Sequence, residues 1–80
     1  MVIKKLSELS PGEKGVVKGV TGKGLLARRL LDMGLVSGAE ISVLRVAPLG
    51  DTIEVEVKGY NLSLRKEEAE QVLVEVKKSE

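Results

Sequence analysis

Apolar and polar residues alternate along several stretches of this chain, and the alternation predicts short β-strands. The clearest stretch runs from Thr52 to Lys58, where isoleucine and valine alternate with glutamate and lysine. A period of two buries one face of a strand and exposes the other. The same pattern recurs from Tyr60 to Arg65 and at Val72, Val74 and Val76, which predicts two more strands.

Two earlier strands are predicted from less regular patterns. The first runs from Glu13 to Val20, and we expect Val16 and Val20 to face the core. It contains two glycines, and glycine inside a strand often marks a bulge or a bend at a barrel corner. In the second strand, from Ala39 to Val46, the apolar positions change face partway along, which indicates a bulge.

An amphipathic helix is predicted between these two strands, from Leu25 to Met33. Leu26, Leu30 and Met33 share one face at the helical period. Gly34 follows directly, and a glycine in the left-handed conformation commonly ends a helix there. The next leucine is then expected to fold back against the helix, as in a Schellman cap.

The predicted fold is mainly β, with about five strands, the short helix after the first strand and a helical turn at Lys66 to Glu70 before the last. A meander this short must close on itself to hide its edge strands, which indicates a small, partly open barrel. The 80 residues form one domain, with a tail from Lys77 that we expect to fray. We assign structural turn or cap roles to Gly12, Gly34, Gly38 and Gly59.

The composition agrees with a β-barrel and argues against a nucleic-acid-binding or membrane-spanning protein. Valine, leucine and isoleucine supply most of the 42% hydrophobic residues, which suits a β-sheet core, and Tyr60 is the sole aromatic residue. Lys plus Arg number 13 and Asp plus Glu number 12, so the net charge of +1 gives no electrostatic footprint for nucleic acid. No apolar run approaches the ~20 residues that cross a bilayer, and the first residues do not resemble a signal peptide.

The residue types of this chain do not predict an enzyme. It has no cysteine and no histidine, so it lacks a thiol nucleophile, an imidazole base and the softer metal ligands. Its carboxylates are dispersed over outward strand positions and turns. We expect no catalytic residue, no cofactor and no specific metal site, with at most weak binding of divalent metal ions by carboxylates.

Three segments together resemble the FeoA family (ferrous iron transport protein A). Segment 25–38 resembles the helix and turn of that family, segment 47–57 its central hairpin, and segment 59–69 its last part. They occur in the same order and spacing over nearly the whole chain. The resemblance implies an SH3-like barrel, similar also to the C-terminal domain of DtxR-type repressors.

FeoA proteins are described as accessory or regulatory partners of FeoB, a membrane transporter of Fe2+ with a cytosolic GTP-binding domain. The resemblance therefore implies a cytoplasmic protein that docks to the cytosolic part of a FeoB-type transporter and reaches the inner membrane only through that partner. We expect no direct membrane insertion and no nucleic acid partner. The family is also described as binding transition metal ions, which the residues of this chain support only weakly.

The docking hypothesis starts from two apolar positions that the core pattern does not explain, Leu25 and Leu49. Exposed apolar groups beside arginine are typical anchors of an interface. The predicted partner-binding residues are Leu25, Leu26, Arg28, Arg29, Pro48, Leu49, Gly50 and Tyr60. An alternative is that both leucines simply cover the barrel ends, and self-association into a homo-oligomer through the same face fits the sequence equally well.

Two other functions fit parts of the sequence. An RNA-binding barrel would use the basic patch of Lys23, Arg28 and Arg29, although single-strand binders need aromatic platforms and this chain has one tyrosine. A transition-metal-binding module or metallochaperone would bind Fe2+ or Mn2+ stoichiometrically through carboxylates.

Overall fold

Six β-strands form the frame of residues 2–76, the part of the chain that this computed structural model describes. In chain order the elements are β1 (Val2–Lys5), a 3-10 turn (Leu6–Glu8), β2 (Lys14–Val20), α1 (Leu25–Asp32), β3 (Glu40–Val46), β4 (Thr52–Val57), β5 (Tyr60–Arg65), α2 (Lys66–Ala69) and β6 (Val72–Val76). The fold is mainly β, as predicted, with one strand more than the five expected. The fraying predicted from Lys77 falls outside the described residues.

The strands form one antiparallel sheet in the order β1-β6-β2-β3-β4-β5, so that β1 and β5 are its edges. The additional strand is β1, which pairs with β6 so that Val2 lies opposite Val76. The alternation rule does not detect β1, because Val2 and Ile3 are adjacent and both remain half exposed, at 48% and 56%. Pairing with β6, rather than burial of its own side chains, holds this strand in place.

Strand β2 lies inside the sheet and pairs with two partners. Its first half pairs with β3 and most of its length pairs with β6. Gly15 permits the close approach of β6, because a Cβ atom there would stand 2.5 Å from the carbonyl oxygen of Glu75 and 2.6 Å from Cγ1 of Val74. The register shifts between Val17 and Gly19, which confirms the bulge predicted from the internal glycines.

The alternation of side chains before the bulge decides which valine of β2 reaches the core. Val17 is completely buried, whereas Val16 is only partly buried, so the expectation that Val16 faces the core is wrong. Gly15 and Val17 share the inner face, since side chains alternate along a strand. The bulge changes that alternation after Val17, and Val20 packs against the core as expected.

One cluster of aliphatic side chains fills the barrel. Its buried members are Leu6, Leu9, Val17, Leu30, Leu35, Ala39, Ile41, Val43, Ile53, Val55, Val57, Leu64, Ala69, Val72, Val74 and Val76. Helix α2 packs against both the 3-10 turn and β5, and so links the two edges of the sheet. Full burial of a Val, Leu or Ile side chain contributes roughly 1.5–3 kcal/mol, so this cluster stabilises the fold without a disulfide.

Strands β3 and β4 carry the second bulge that the sequence indicated. The register shifts between Val43 and Arg45, and the intervening Leu44 is 40% exposed. Before the shift, Ile41 and Val43 are buried, as their spacing predicted. All three apolar residues of β4 are buried as well, which confirms the clearest alternation in the sequence.

Helix α1 ends in the predicted Schellman cap. The amide of Leu35 donates to the carbonyl oxygen of Leu30 at 3.2 Å, and the amide of Gly34 donates to that of Leu31 at 3.0 Å. Gly34 has a φ of +101°, and Leu30 and Leu35 are both completely buried. Positive φ angles also occur at the other three predicted turn glycines, Gly12, Gly38 and Gly59.

We expect Gly34→Val to lower the free energy of unfolding by more than about 1 kcal/mol, because a β-branched residue tolerates positive φ badly. A side chain here would also meet Tyr60, whose hydroxyl lies 2.6 Å from the position of a Cβ atom. Urea or thermal unfolding measures the loss. Gly38→Val is the matched control for the contact with Tyr60. Its φ of +95° is similar, but nothing lies within 4 Å of a Cβ atom there. Wild-type stability of Gly34→Val would contradict the assigned helix end.

Candidate docking surface

The outward face of α1 carries Leu25 together with Arg28 and Arg29. Leu25 is 88% exposed, and both arginines are exposed. Ala27 and Leu30 occupy the inward face and are buried. Residues three and four apart are neighbours on a helix, so α1 presents an apolar side chain beside two positive charges.

Leu26 contributes less to this surface than its place among the predicted partner-binding residues suggested. Its side chain is partly buried and packs against the core cluster. That position agrees with the helical period, which placed Leu26 on the inward face. Leu26 therefore holds α1 on the barrel, and a partner would contact only the exposed part of its side chain.

The loop between β3 and β4 presents the second exposed leucine. Leu49 is 89% exposed, and the neighbouring Pro48 is exposed as well. The loop is a tight turn, in which the amide of Gly50 donates to the carbonyl oxygen of Ala47 at 2.8 Å. Neither Leu49 nor Leu25 covers an end of the barrel, because nearly nine-tenths of each residue is accessible to solvent.

Segment 66–71 links the loop of Leu49 to the connection that leads into α1. The amide of Lys66 donates to the carbonyl oxygen of Asp51 at 3.0 Å, which fixes the loop of Leu49 beside the start of α2. After the end of α2, the carbonyl oxygen of Gln71 accepts from the amide of Thr21 at 2.7 Å. The Thr21 hydroxyl also donates to Oε1 of Gln71 at 3.0 Å. These bonds fix the connection that leads into α1.

Acidic side chains surround Leu49, a feature that the sequence did not reveal. Leu49 lines a shallow open depression with Asp51, Glu67 and Glu70, and with Lys66. These residues come from two separate segments of the chain, and glutamates in a short helical turn are typical of a solvated face. The pairing of Thr52 with Arg65 and the hydrogen bond between Asp51 and Lys66 make them neighbours.

Tyr60 lies at the opposite end of β5 from this depression. The strand separates the two ends by about 17 Å, at about 3.4 Å per residue. The Tyr60 hydroxyl donates to the carbonyl oxygen of Met33 at 2.8 Å. Because Met33 is the C-terminal cap residue of α1, this bond ties the end of the helix to the β4–β5 hairpin. Tyr60 is 46% exposed, and its contact with a partner stays a prediction.

Two ion pairs form among residues 2–76, and neither includes an arginine of α1. Lys18 Nζ lies 3.4 Å from Glu75 Oε1, and Arg45 Nε lies 2.8 Å from Glu54 Oε1. The hydrogen bond to Glu54, together with its negative charge, raises the pKa of Arg45 above the ordinary value. Arginine is already protonated at neutral pH, so this shift has no consequence there.

Residues 2–76 lack two features that would indicate a metal site or a membrane span. Residues 2–76 contain no group of three or more His, Cys, Asp or Glu side chains that could hold a metal ion. Across the same residues, no helix has the length and apolar character that a membrane crossing requires. The surface of these residues carries two highly exposed leucines, Leu25 and Leu49, each beside charged side chains.

Residues 2–76 form a small antiparallel barrel that leaves Leu25 and Leu49 exposed. The FeoA domain family matches residues 4–76 of the chain. The chain therefore belongs to the FeoA family, as the resemblance in its sequence implied.

A related protein joins this domain to a transporter in one polypeptide. The Fe(2+) transport protein A/Fe(2+) transporter FeoB fusion protein of Porphyromonas gingivalis is 42% identical to this chain over 72 residues, which cover 90% of the chain. The chain spans 8% of the length of that relative.

Solved FeoA structures show the same fold. The FeoA-like protein of Clostridium acetobutylicum has a TM-score of 0.91 at 39% identity, over 100% of this chain and 93% of that one. The Stenotrophomonas maltophilia FeoA, an SH3 domain protein solved in complex with zinc, has a TM-score of 0.80 at 33% identity, over 90% of this chain and 89% of that one. The predicted SH3-like fold is thereby confirmed.

The resemblance to DtxR-type repressors is confirmed at the level of the fold alone. T. acidophilum IdeR has a TM-score of 0.84 at 20% identity, and the match covers 96% of this chain and 35% of that one. At this identity the likeness carries no information about ligands or partners.

The S. maltophilia relative was solved in complex with zinc, but the residues of this chain do not fit a zinc site. Protein zinc sites are built mainly from cysteine and histidine, and this chain has neither. No three carboxylates of residues 2–76 are placed so that they could hold a metal ion together. We therefore assign no metal ligand to this chain.

Replacing Tyr60 by phenylalanine removes only the hydroxyl that fixes the end of α1. We expect Tyr60→Phe to lower the free energy of unfolding by about 0.5–1.5 kcal/mol, the usual net contribution of one hydrogen bond. The amides of Gly34 and Leu35 should exchange faster with solvent, which NMR hydrogen exchange measures. Leu25→Ala is the control, because an 88% exposed leucine contributes little to stability. Unchanged exchange at the cap would show that Tyr60 does not position the helix.

Proposed function

We propose that this chain is an accessory protein of ferrous iron uptake that acts by docking to a FeoB-type transporter. The observation that carries this proposal is the Porphyromonas gingivalis protein, in which a relative of this chain and FeoB form one polypeptide. A covalent fusion keeps two domains at a high effective concentration. A separate chain of the same family needs a binding surface of its own to stay beside the transporter.

The exposed leucines at the α2 end of the barrel are the best surface for that contact. Leu25 and Leu49 are the most exposed large apolar residues in the described part of the chain. Burying apolar surface on a partner contributes roughly 25 cal/mol per Å2. Arg28 and Arg29 lie beside Leu25, and arginine is among the residues enriched at the centres of interfaces. Docking there leaves the core of the barrel unchanged.

The remaining predicted residues support this surface. Leu26 packs beneath α1, and Tyr60 holds the end of that helix. Gly50 adopts a φ of +74°, which lets the loop turn tightly and project Leu49. Pro48 restricts the same loop, so a partner would meet a surface that is already ordered.

The proposed role is regulation or assembly of the transporter, without catalysis by this chain. The absence of cysteine and histidine from the sequence leaves no conventional nucleophile–base pair. The contact would be made with the cytosolic part of the transporter, where a GTP-binding domain is expected. The protein would then act in the cytoplasm and reach the membrane only through its partner, and no cofactor or metal ion is required.

Isothermal titration calorimetry against the soluble GTP-binding domain and the full-length FeoB-type transporter of the same cell tests this role. We expect saturable binding of the wild type. The double variant Leu25→Asp/Leu49→Asp should bind at least about tenfold more weakly, because each substitution puts a charge where an apolar anchor is buried. Val2→Asp/Ile3→Asp is the matched control, since it makes the same change at exposed residues of β1 and should bind normally.

The outcomes of this titration separate the candidate functions. Dependence on GTP would indicate regulation of the GTPase, whereas binding that is independent of GTP and Fe2+ would indicate assembly. Equal affinity of wild type and Leu25→Asp/Leu49→Asp would place the contact elsewhere, and no binding of the wild type in any condition would reject docking. Stoichiometric Fe2+ binding by the chain alone would support a metallochaperone, and salt-sensitive binding of single-stranded RNA would support an RNA-binding barrel.

A further inference from the structure

Two patches of opposite charge lie next to α2, and each contains one exposed leucine. The basic patch consists of Lys23, Leu25, Arg28 and Arg29, all of them exposed. The acidic patch consists of Leu49, Asp51, Glu67 and Glu70, which share one open depression. Asp32 on α1 and Lys66 in the depression each reduce the charge of their own patch by one. The basic patch still has a net positive charge, and the acidic patch still has a net negative charge.

No ion pair among residues 2–76 joins the two patches. The two ion pairs found in residues 2–76 join Lys18 to Glu75 and Arg45 to Glu54, outside both patches. Each patch therefore combines an apolar centre with a charged rim that is not neutralised by an ion pair within the described chain. That combination is the usual anatomy of a protein–protein interface.

We propose that a second copy of this chain binds at this end of the barrel, with the basic patch of each molecule against the acidic patch of the other. Charge complementarity selects this occupant, because the chain itself supplies a patch of opposite sign with a matching exposed leucine. Both patches adjoin segment 66–71, which is hydrogen-bonded to the loop of Leu49 at Asp51 and to the connection into α1 at Thr21. A two-fold axis beside this segment would pair the patches twice and close the assembly at a dimer. This inference goes beyond the proposed function and does not rest on it.

The dimer is expected to be weak and sensitive to salt. Each patch has a single exposed leucine at its centre, whereas a standard interface buries ~800 Å2 per partner, so we expect a dissociation constant in the micromolar range or above. Salt screens exposed charges, since the Debye length falls from about 10 Å at 0.1 M to about 3 Å at 1 M. Docking to a transporter through Leu25 and Leu49 would compete with the dimer, because the dimer covers the same residues.

Charge reversal tests the dimer on the purified full chain, with no transporter present. Sedimentation velocity at low salt over a range of protein concentrations should show a monomer–dimer equilibrium for the wild type. Arg28→Glu/Arg29→Glu places acid against acid, and Glu67→Lys/Glu70→Lys places base against base. Each variant alone should dimerise at least about tenfold more weakly than the wild type, because like charges repel at close range.

An equimolar mixture of the two variants is the decisive sample. One variant then has two acidic patches and the other two basic patches, so both contacts of a mixed dimer again join opposite charges. Association should return in the mixture, and also in a single chain that carries all four substitutions. Lys14→Glu/Lys58→Glu is the matched control, because it makes the same charge change at exposed residues outside both patches and should dimerise like the wild type.

Several results would overturn the dimer. The wild type could stay monomeric at every concentration in low salt, the reversed variants could dimerise as it does, or their mixture could fail to associate. Open-ended oligomers would exclude the two-fold arrangement. Circular dichroism and thermal unfolding verify that each variant folds, and the mixture restores the contact without restoring either sequence. Because no transporter is present, this experiment and the docking titration can fail independently.

Discussion

The barrel depends on the close pairing of β2 with β6 at Gly15, because β2 pairs with both β3 and β6 and so joins the two halves of the sheet. Strand β6 approaches the backbone at Gly15 more closely than any side chain would permit. A Cβ atom at that residue would stand 2.5 Å from the carbonyl oxygen of Glu75, which cannot move without disturbing the pairing of β6. With this pairing in place, aliphatic residues alone fill the core, and α2 links the sheet edges.

Closure of the sheet also places the surface that we assign to docking. Strand β5 leads into α2, and α2 holds the loop of Leu49 at its start and the entry to α1 at its end, through backbone hydrogen bonds at Asp51 and Gln71. At the other end of α1, the Schellman cap and the Tyr60 hydroxyl fix the helix. The exposed leucines thus sit on short connections held by rigid elements, which is where binding residues are commonly found.

Features that depend on local sequence could be predicted, and those that depend on distant pairing could not. The alternation in β4 and the cap at Gly34 arise from neighbouring residues, and both are confirmed. Strand β1 and the burial of Val17 in place of Val16 depend on β6, which lies at the far end of the sequence. The exposed leucines stood out because the core pattern left them unexplained, whereas the acidic surroundings of Leu49 arise only when the loop meets α2.

Hydrogen exchange on the complex with the cytosolic part of a FeoB-type transporter tests the central claim most directly, because it maps the contact without any substitution. The measurement compares the free and bound chain at concentrations where the free chain is monomeric. Docking at the α2 end of the barrel predicts slower amide exchange in segments 22–32 and 47–51, with β1 unchanged. Protection confined to β1 or to β3 and β4, with both segments unaffected, would contradict the account.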